Sequence, residues 1–297
     1  MNRIFIKARA KINLALDIVG RRPDGYHELR TVMQTLALYD GVYIQKIEKP
    51  AVKLVCDMPR LPVDDRNLAT KAAKHMMDRY ALPGGVFIRL NKAIFVSAGL
   101  AGGSSDCAAV LAGMRKIYDL PIEDEALREI GLAFGADVPY CLMGGTALAE
   151  GVGERLTPLP PHPPVFVLLA KPKIRVSTQM IFDKYNESQE LCRGSDEFIN
   201  NKPDIDAMVQ HINDRELTLI ARGFCNVLEP VTAAMHPIVG ELKSMMIRSG
   251  AMNAAMSGSG PTVFGLFEDK KQAESVCNHL KGHYNNSYLT EIAHQQV

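Results

Sequence analysis

The run Ser97-Ala98-Gly99-Leu100-Ala101-Gly102-Gly103-Ser104-Ser105-Asp106 leads directly into Cys107, Leu111, Met114 and Tyr118, which recur at helical spacing. A loop of small residues that opens a helix gathers backbone N–H groups and the positive end of the helix dipole at one point, which is a site for phosphate. The spacing is neither that of a P-loop nor that of a dinucleotide-binding glycine loop, so neither standard assignment applies. A tight strand-to-helix turn with Ser104 or Ser105 as cap is the plain alternative. Asp137 follows a helix-stopping Gly135 and precedes Val138-Pro139, a position at an element end that suits a general base as well as a helix cap. Lys11, at the start of an alternating segment, reads by itself as a solvated strand charge. Tyr26-His27, after the turn Arg22-Pro23-Asp24-Gly25, could stack and hydrogen-bond a planar heterocycle, or could be a packing aromatic beside a surface imidazole. Ser257-Gly258-Ser259-Gly260-Pro261 is either a hairpin turn or a place where backbone approaches a ligand closely.

These residues need elements to hold them. Ile12, Leu14, Leu16 and Ile18 fall at period two, which predicts one strand with Lys11, Asn13, Ala15 and Asp17 together on its other face. Strand signals follow at 42–47, 52–56 and 86–90. Helical spacing covers 68–80, 107–118 and 123–134, the last with acids in its first turn and Gly135 as its stop. The segment from Thr157 to Pro164 carries five prolines in eight positions and reads as a stiff connector, where a domain boundary is expected. Beyond it come a strand at 165–170, helices at 205–222 and 237–248, strands at 251–256 and 262–267, and a helix at 270–280. This is an α+β pattern of strands paired across short loops with helices on one face.

Composition narrows the partners. The 297 residues contain 34 Lys+Arg against 33 Asp+Glu, a formal net charge of +1, so no global field draws the chain to nucleic acid or to an anionic membrane. With 47% hydrophobic and 23% charged residues it is an ordinary globular protein of about two domains. No apolar run approaches the roughly 20 residues that span a bilayer, and no secretion signal is visible at the N-terminus. The six cysteines include no Cys-x-x-Cys pair and read as small buried hydrophobes in a reducing cytoplasm, not as a metal cluster.

Taken in order, Lys11-Ile12-Asn13-Leu14, the run Ala98–Asp106 and Ser257-Gly258-Ser259-Gly260-Pro261 resemble the three motifs of the GHMP kinases. Within that superfamily, Arg22-Pro23-Asp24-Gly25-Tyr26-His27-Glu28-Leu29 and Gly135-Ala136-Asp137-Val138-Pro139 resemble the branch that phosphorylates a cytidyl diphosphate sugar alcohol. The resemblance spans about residues 5 to 267, and five motifs in order are far more specific than any one of them. It implies the α+β GHMP kinase fold in two domains, residues 1–157 for ATP binding and 158–297 after them. The first would contain a left-handed βαβ crossover, where general rules favour a right-handed one, and the second would be ferredoxin-like.

The same resemblance implies ATP-dependent phosphorylation of the 2-hydroxyl of 4-diphosphocytidyl-2-C-methyl-D-erythritol, a step of non-mevalonate isoprenoid precursor biosynthesis. Asp137 would then be the base. Lys11 would hold it as a carboxylate and offset charge in the transition state. Residues Phe95, Val96, Ser97, Ala98, Gly99, Leu100, Ala101, Gly102, Gly103, Ser104 and Ser105 would wrap the ATP phosphates, and Ser257, Gly258, Ser259 and Gly260 would form the C-terminal glycine loop. Tyr26 would stack on cytosine, His27 would bond its edge, Phe182 would cover the opposite face, and Asn13 would meet the substrate's polar end. Mg2+ is implied as a counter-charge, without named ligands. Ala101 stands where this pattern has glycine, and a methyl there limits positive φ and crowds the phosphate approach. A kinase of homoserine or mevalonate type, or a nucleotide-binding regulator that lost catalysis, are the competing readings. The Pro-Asp-Gly-Tyr-His segment opposes the first, and the presence of Lys11 with Asp137 opposes the second.

Overall fold

The computed structural model describes residues 1–191, 202–284 and 286–294. Two long strands, β1 (Arg3–Arg21) and β2 (His27–Ile47), pair antiparallel from Arg3 opposite Gln45 to Arg21 opposite His27. Gly25 takes φ +88° in the turn between them, where its amide donates to the Arg22 carbonyl at 3.0 Å. Then come β3 (Val52–Cys56), α1 (Leu68–Arg79), β4 (Gly85–Asn91), α2 (Gly102–Tyr118), α3 (Asp124–Leu132), α4 (Asp137–Met143), β5 (Thr146–Gly151) and β6 (Arg155–Pro158). After the proline-rich stretch follow β7 (Phe166–Ala170), α5 (Thr178–Leu191), α6 (Ile205–Asn213), α7 (Leu217–Arg222), β8 (Cys225–Asn226) and α8 (Glu229–Met235). The last elements are α9 (Ile238–Arg248), β9 (Asn253–Met256), β10 (Val263–Phe267), α10 (Lys270–Tyr284) and β11 (Ser287–Glu291).

The first sheet runs β3-β4-β2-β1-β8, with β5 continuing on β2 and β6 on β5; β3 and β4 are parallel with α1 between them. The second sheet, β11-β7-β10-β9, is antiparallel throughout. Its strands and helices follow the βαββαβ order expected of a ferredoxin-like unit. One face of the first sheet is covered by α1, α2 and α4. There α2 lies so close that a Cβ on Gly113 would collide with the Ile44 side chain. The β1 residues Ile12 and Leu14 share a core with Val167, Leu169 and Phe264 of the second sheet. β1 is therefore buried on both sides, with water kept from every residue between Ala10 and Ile18.

The single alternation expected along β1 does not hold. The register shifts between Asn13 and Ala15, so that Asn13 faces Met33 and Ala15 faces Val32. Such a bulge turns the pattern over. Ala15 packs with Ile12 and Leu14, whereas Leu16 and Ile18 join the cluster that holds Ile181 and Tyr185. Asp17 lies opposite Arg30 in the ladder and does not continue the Lys11–Asn13 face. Other boundaries move too. α2 starts at Gly102, five residues before its apolar periodicity. The helix expected over 205–222 breaks at Arg215, whose φ is +58°. Cys56, Cys107, Cys141 and Cys277 are free thiols, and Cys192 lies outside the described residues. Among the described residues no helix is long and apolar enough to cross a membrane.

Candidate active site

Lys11 is 5% exposed, yet its ammonium has polar company. Nζ donates to Asn13 Oδ1 at 2.8 Å and stands 3.7 Å from Asp137 Oδ2. Two residues apart on a strand, Lys11 and Asn13 project to one face before the bulge intervenes. Asn13 is oriented in turn: its Nδ2 donates to Thr31 Oγ1 at 2.8 Å, and that hydroxyl donates to the Ala15 carbonyl at 2.6 Å. Asp137 is the first residue of α4, beyond the turn in which the Val138 amide donates to the Gly135 carbonyl. Its carboxylate is 35% exposed, so it is held by Lys11 on one side and open to solvent on the other. A Cβ on Gly135 would stand 4.0 Å from Ser104 Oγ, which sets the start of α2 beside the segment that leads to Asp137. One acid, one cation and one helix start therefore share a small volume.

The two glycine loops interlock. Gly99 has φ +74°, and a Cβ on it would overlap the Ser257 carbonyl oxygen. The Ser257 hydroxyl donates back to the Gly99 carbonyl at 2.9 Å. A Cβ on Gly258 would come within 3.6 Å of Asn13 Oδ1, so the second loop touches the strand that carries Lys11 as well as the first loop. The Lys11 amide donates to the Leu100 carbonyl at 3.2 Å and closes the arrangement. Ala101 adopts φ +57° as the residue before α2, with no side chain capping the helix. Alanine thus takes the left-handed conformation that glycine takes freely, at a cost on the order of 1 kcal/mol. The first amides of α2 face outward without a protein cap, as an anion site requires.

Not every residue expected to wrap phosphate is free to do so. Ala98 and Leu100 are buried in the core between the sheets, and Phe95 packs against it. The Ser105 hydroxyl donates to the Arg9 carbonyl at 2.7 Å and its amide to the Ala101 carbonyl at 2.8 Å, so Ser105 supports the loop from behind. Val96, Ser97, Gly99 and 101–104 remain at the surface. Ser104 does not cap α2.

At the far end of β1 and β2, Tyr26 is 66% exposed, and its amide donates to Asp24 Oδ1 at 3.1 Å. His27 meets α5 instead of open solvent: its Nε2 is 2.8 Å from Asn186 Oδ1, and its ring lies 4.7 Å from that of Phe182 at 32°. Phe182 thus backs His27. At the opposite end of α5, Thr178 Oγ1 is 2.8 Å from Ser259 Oγ of the C-terminal glycine loop. From Thr178 to Asn186 the helix rises about 12 Å, so α5 joins the C-terminal glycine loop to the Tyr26–His27 turn.

The models of the GHMP kinases N terminal domain and GHMP kinases C terminal match residues 67–145 and 205–286. A 4-diphosphocytidyl-2-C-methyl-D-erythritol kinase from Lachnospira eligens is 44% identical over 98% of this chain and 99% of its own length. One from Acetivibrio thermocellus is 42% identical over the same shares. The chain belongs to the 4-diphosphocytidyl-2-C-methyl-D-erythritol kinase family of GHMP kinases. A crystal structure of 4-(cytidine 5'-diphospho)-2C-methyl-D-erythritol kinase superposes with a TM-score of 0.80 at 31% identity, covering 98% of this chain and 99% of that one. Homoserine kinase from Cytophaga hutchinsonii, at 19% identity and a TM-score of 0.76, shares the fold.

For this family member, sequence reasoning passed over several groups that shape the site. Thr31 orients Asn13. The buried Asn226 donates from Nδ2 to the carbonyls of Met256 and Gly258, each at 2.8 Å, and so fixes the C-terminal glycine loop to β8. Thr178 ties α5 to the C-terminal glycine loop and Asn186 ties it to His27, and Lys92 lies buried between Asp40 and Asp106. None carries a local signal such as a turn, a helix stop or a glycine run. Burial raises the Cys107 and Cys141 thiols well above the usual range, which keeps them protonated packing groups.

Proposed function

We propose that this chain transfers the terminal phosphoryl group of ATP to the 2-hydroxyl of 4-diphosphocytidyl-2-C-methyl-D-erythritol, giving the 2-phosphate and ADP. The observation that carries this reading is the solvent-open Asp137 carboxylate 3.7 Å from the buried Lys11 ammonium, on the segment adjoining the uncapped start of α2. The names of the full-length relatives support the choice of substrate.

Phosphoryl transfer asks a protein for position and charge more than for covalent chemistry. The amides at the start of α2 and the small residues before it would hold the phosphates. Asp137 would take the proton from the attacking hydroxyl, and Lys11 would offset the negative charge that builds between hydroxyl and phosphoryl group. Asn13, held by Thr31, would fix the alcohol end of the substrate. Tyr26 and His27 would read cytosine by stacking and by a hydrogen bond, with Phe182 and Asn186 holding the imidazole. Mg2+ typically binds through phosphate oxygens, waters and one or two carboxylates. The Asp137 carboxylate and the Ser104 hydroxyl are the oxygen donors this site offers it, and when bound it would supply counter-charge to the phosphates.

A coupled ADP-release assay with ATP and the cytidyl substrate tests the proposal. Turnover is expected, with Asp137→Asn lowering kcat by roughly 10²–10⁴-fold and leaving substrate KM within a few-fold. Turnover with homoserine or mevalonate but none with the cytidyl compound would replace the substrate. Near-wild-type kcat in Asp137→Asn would remove Asp137 as the base.

A further inference from the structure

Lys92 follows β4 directly, and its side chain is 3% exposed. It forms ion pairs with Asp40 of β2 and, at 2.5 Å, with Asp106 of α2. The second oxygen of Asp40 accepts from the backbone amides of Ala93 at 2.6 Å and Ile94 at 2.8 Å, the two residues from which the loop departs. A Cβ on Gly102, where the loop becomes α2, would stand 3.5 Å from Asp40 Oδ2. Both ends of segment 95–105 are thus tied to one ammonium, the start through Asp40 and the finish through Asp106.

Electrostatics gives that ammonium a second effect. Two buried carboxylates close to the start of a helix would repel a phosphate bound there, and each is costly to bury without a cation. Asp106 Oδ1 is buried without a partner, so this carboxyl depends on Lys92 through its other oxygen. Burial raises Asp106 above the ordinary carboxylate range, against the pull of Lys92.

We propose that Lys92 is a positioning residue for ATP. It holds the two ends of the 95–105 loop at their spacing and offsets part of the carboxylate charge beneath the phosphates. The proposal rests on the reading of that loop as the ATP phosphate cradle.

Steady-state kinetics with each substrate varied in turn separates the two ideas. Lys92→Met is expected to raise the KM for ATP roughly tenfold or more and Asp106→Asn several-fold, because loosening the finish of the loop outweighs the repulsion that the lost carboxylate relieves, with the KM for the cytidyl substrate within about twofold and partial recovery in Lys92→Arg. An unchanged ATP KM in folded variants, or equal rises in both KM values, overturns the role of Lys92. If Lys92→Met does not accumulate as a folded protein, Asp106→Asn decides, since it removes a carboxylate that is only partly paired. Absence of ATP turnover in the wild type would instead remove the loop reading itself.

Discussion

Tyr26 is 66% exposed and is carried on a turn closed by Asp24, so its ring contributes little to folding. If it stacks on cytosine, its loss should be felt by one substrate alone. Tyr26→Ala is expected to raise the KM for the cytidyl substrate by roughly ten- to a hundredfold, the worth of one stacked base, while the ATP KM and the melting temperature stay put. An unaltered cytidyl KM would refute the stacking role. Tyr26, His27 and Asp137 stood out in the sequence as candidates because each adjoins a local signal, a Pro-Asp-Gly turn or a glycine stop, whereas Lys11 and Asn13 did so through the family resemblance. Lys92 and Asn226 did not. Lys92 acts through Asp40, 52 positions away, and Asn226 holds carbonyls 30 and 32 positions away. Pairings of that kind exist only once the sheets are assembled.

At the scale of elements, the apolar periodicity found α1, α2, α3, α9, α10 and most of the short strands, read α6 and α7 as one helix, passed over α4, α5 and α8, and failed where one strand changes its facing. The bulge between Asn13 and Ala15 turns Leu16 and Ile18 toward α5, which a fixed period of two does not describe. The first turn of α2 was hidden because Gly102, Gly103, Ser104 and Ser105 are poor helix formers; packing against the sheet and the left-handed entry at Ala101 start the helix there. We propose that ATP binding depends on the contact between the two glycine loops. Gly99→Ala combines a positive φ with a Cβ that overlaps the Ser257 carbonyl, a backbone atom fixed from the other side by Asn226 through its neighbours. The change should destabilise by about 3 kcal/mol or more and raise the ATP KM of whatever protein folds. Urea unfolding and ATP titration check both effects, and wild-type values in the two would show that the loops do not bear on one another.

At the scale of the whole molecule, β6 belongs to the first sheet and β7 to the second, with the proline-rich connector between them. We propose that the chain divides there, 1–157 from 158–297, although β8 returns to pair with β1 and stitches the halves together at Leu16. The connector is fixed in place by polar contacts: the His162 amide donates to Thr146 Oγ1 at 3.2 Å, and Arg215 Nη1 donates to the Pro161 carbonyl at 3.3 Å. His162 is fully buried, with Nδ1 2.6 Å from the Pro163 carbonyl and Nε2 without a partner. Burial pushes its pKa down to about 4, and the neighbouring His294 and Arg215 push the same way. The sign follows from proton counting: below the unfolded value of about 6.5 the unfolded chain binds a proton that the folded one refuses. Stability from this residue is complete above that pH and is lost as the pH falls toward 4. Between pH 7 and pH 4.5 the wild type should therefore lose about 2–3 kcal/mol more unfolding free energy than His162→Gln, which has no proton to gain. Urea unfolding of both proteins at the two pH values measures the difference. Equal losses would show that the joint between the sheets opens to water before the imidazole titrates.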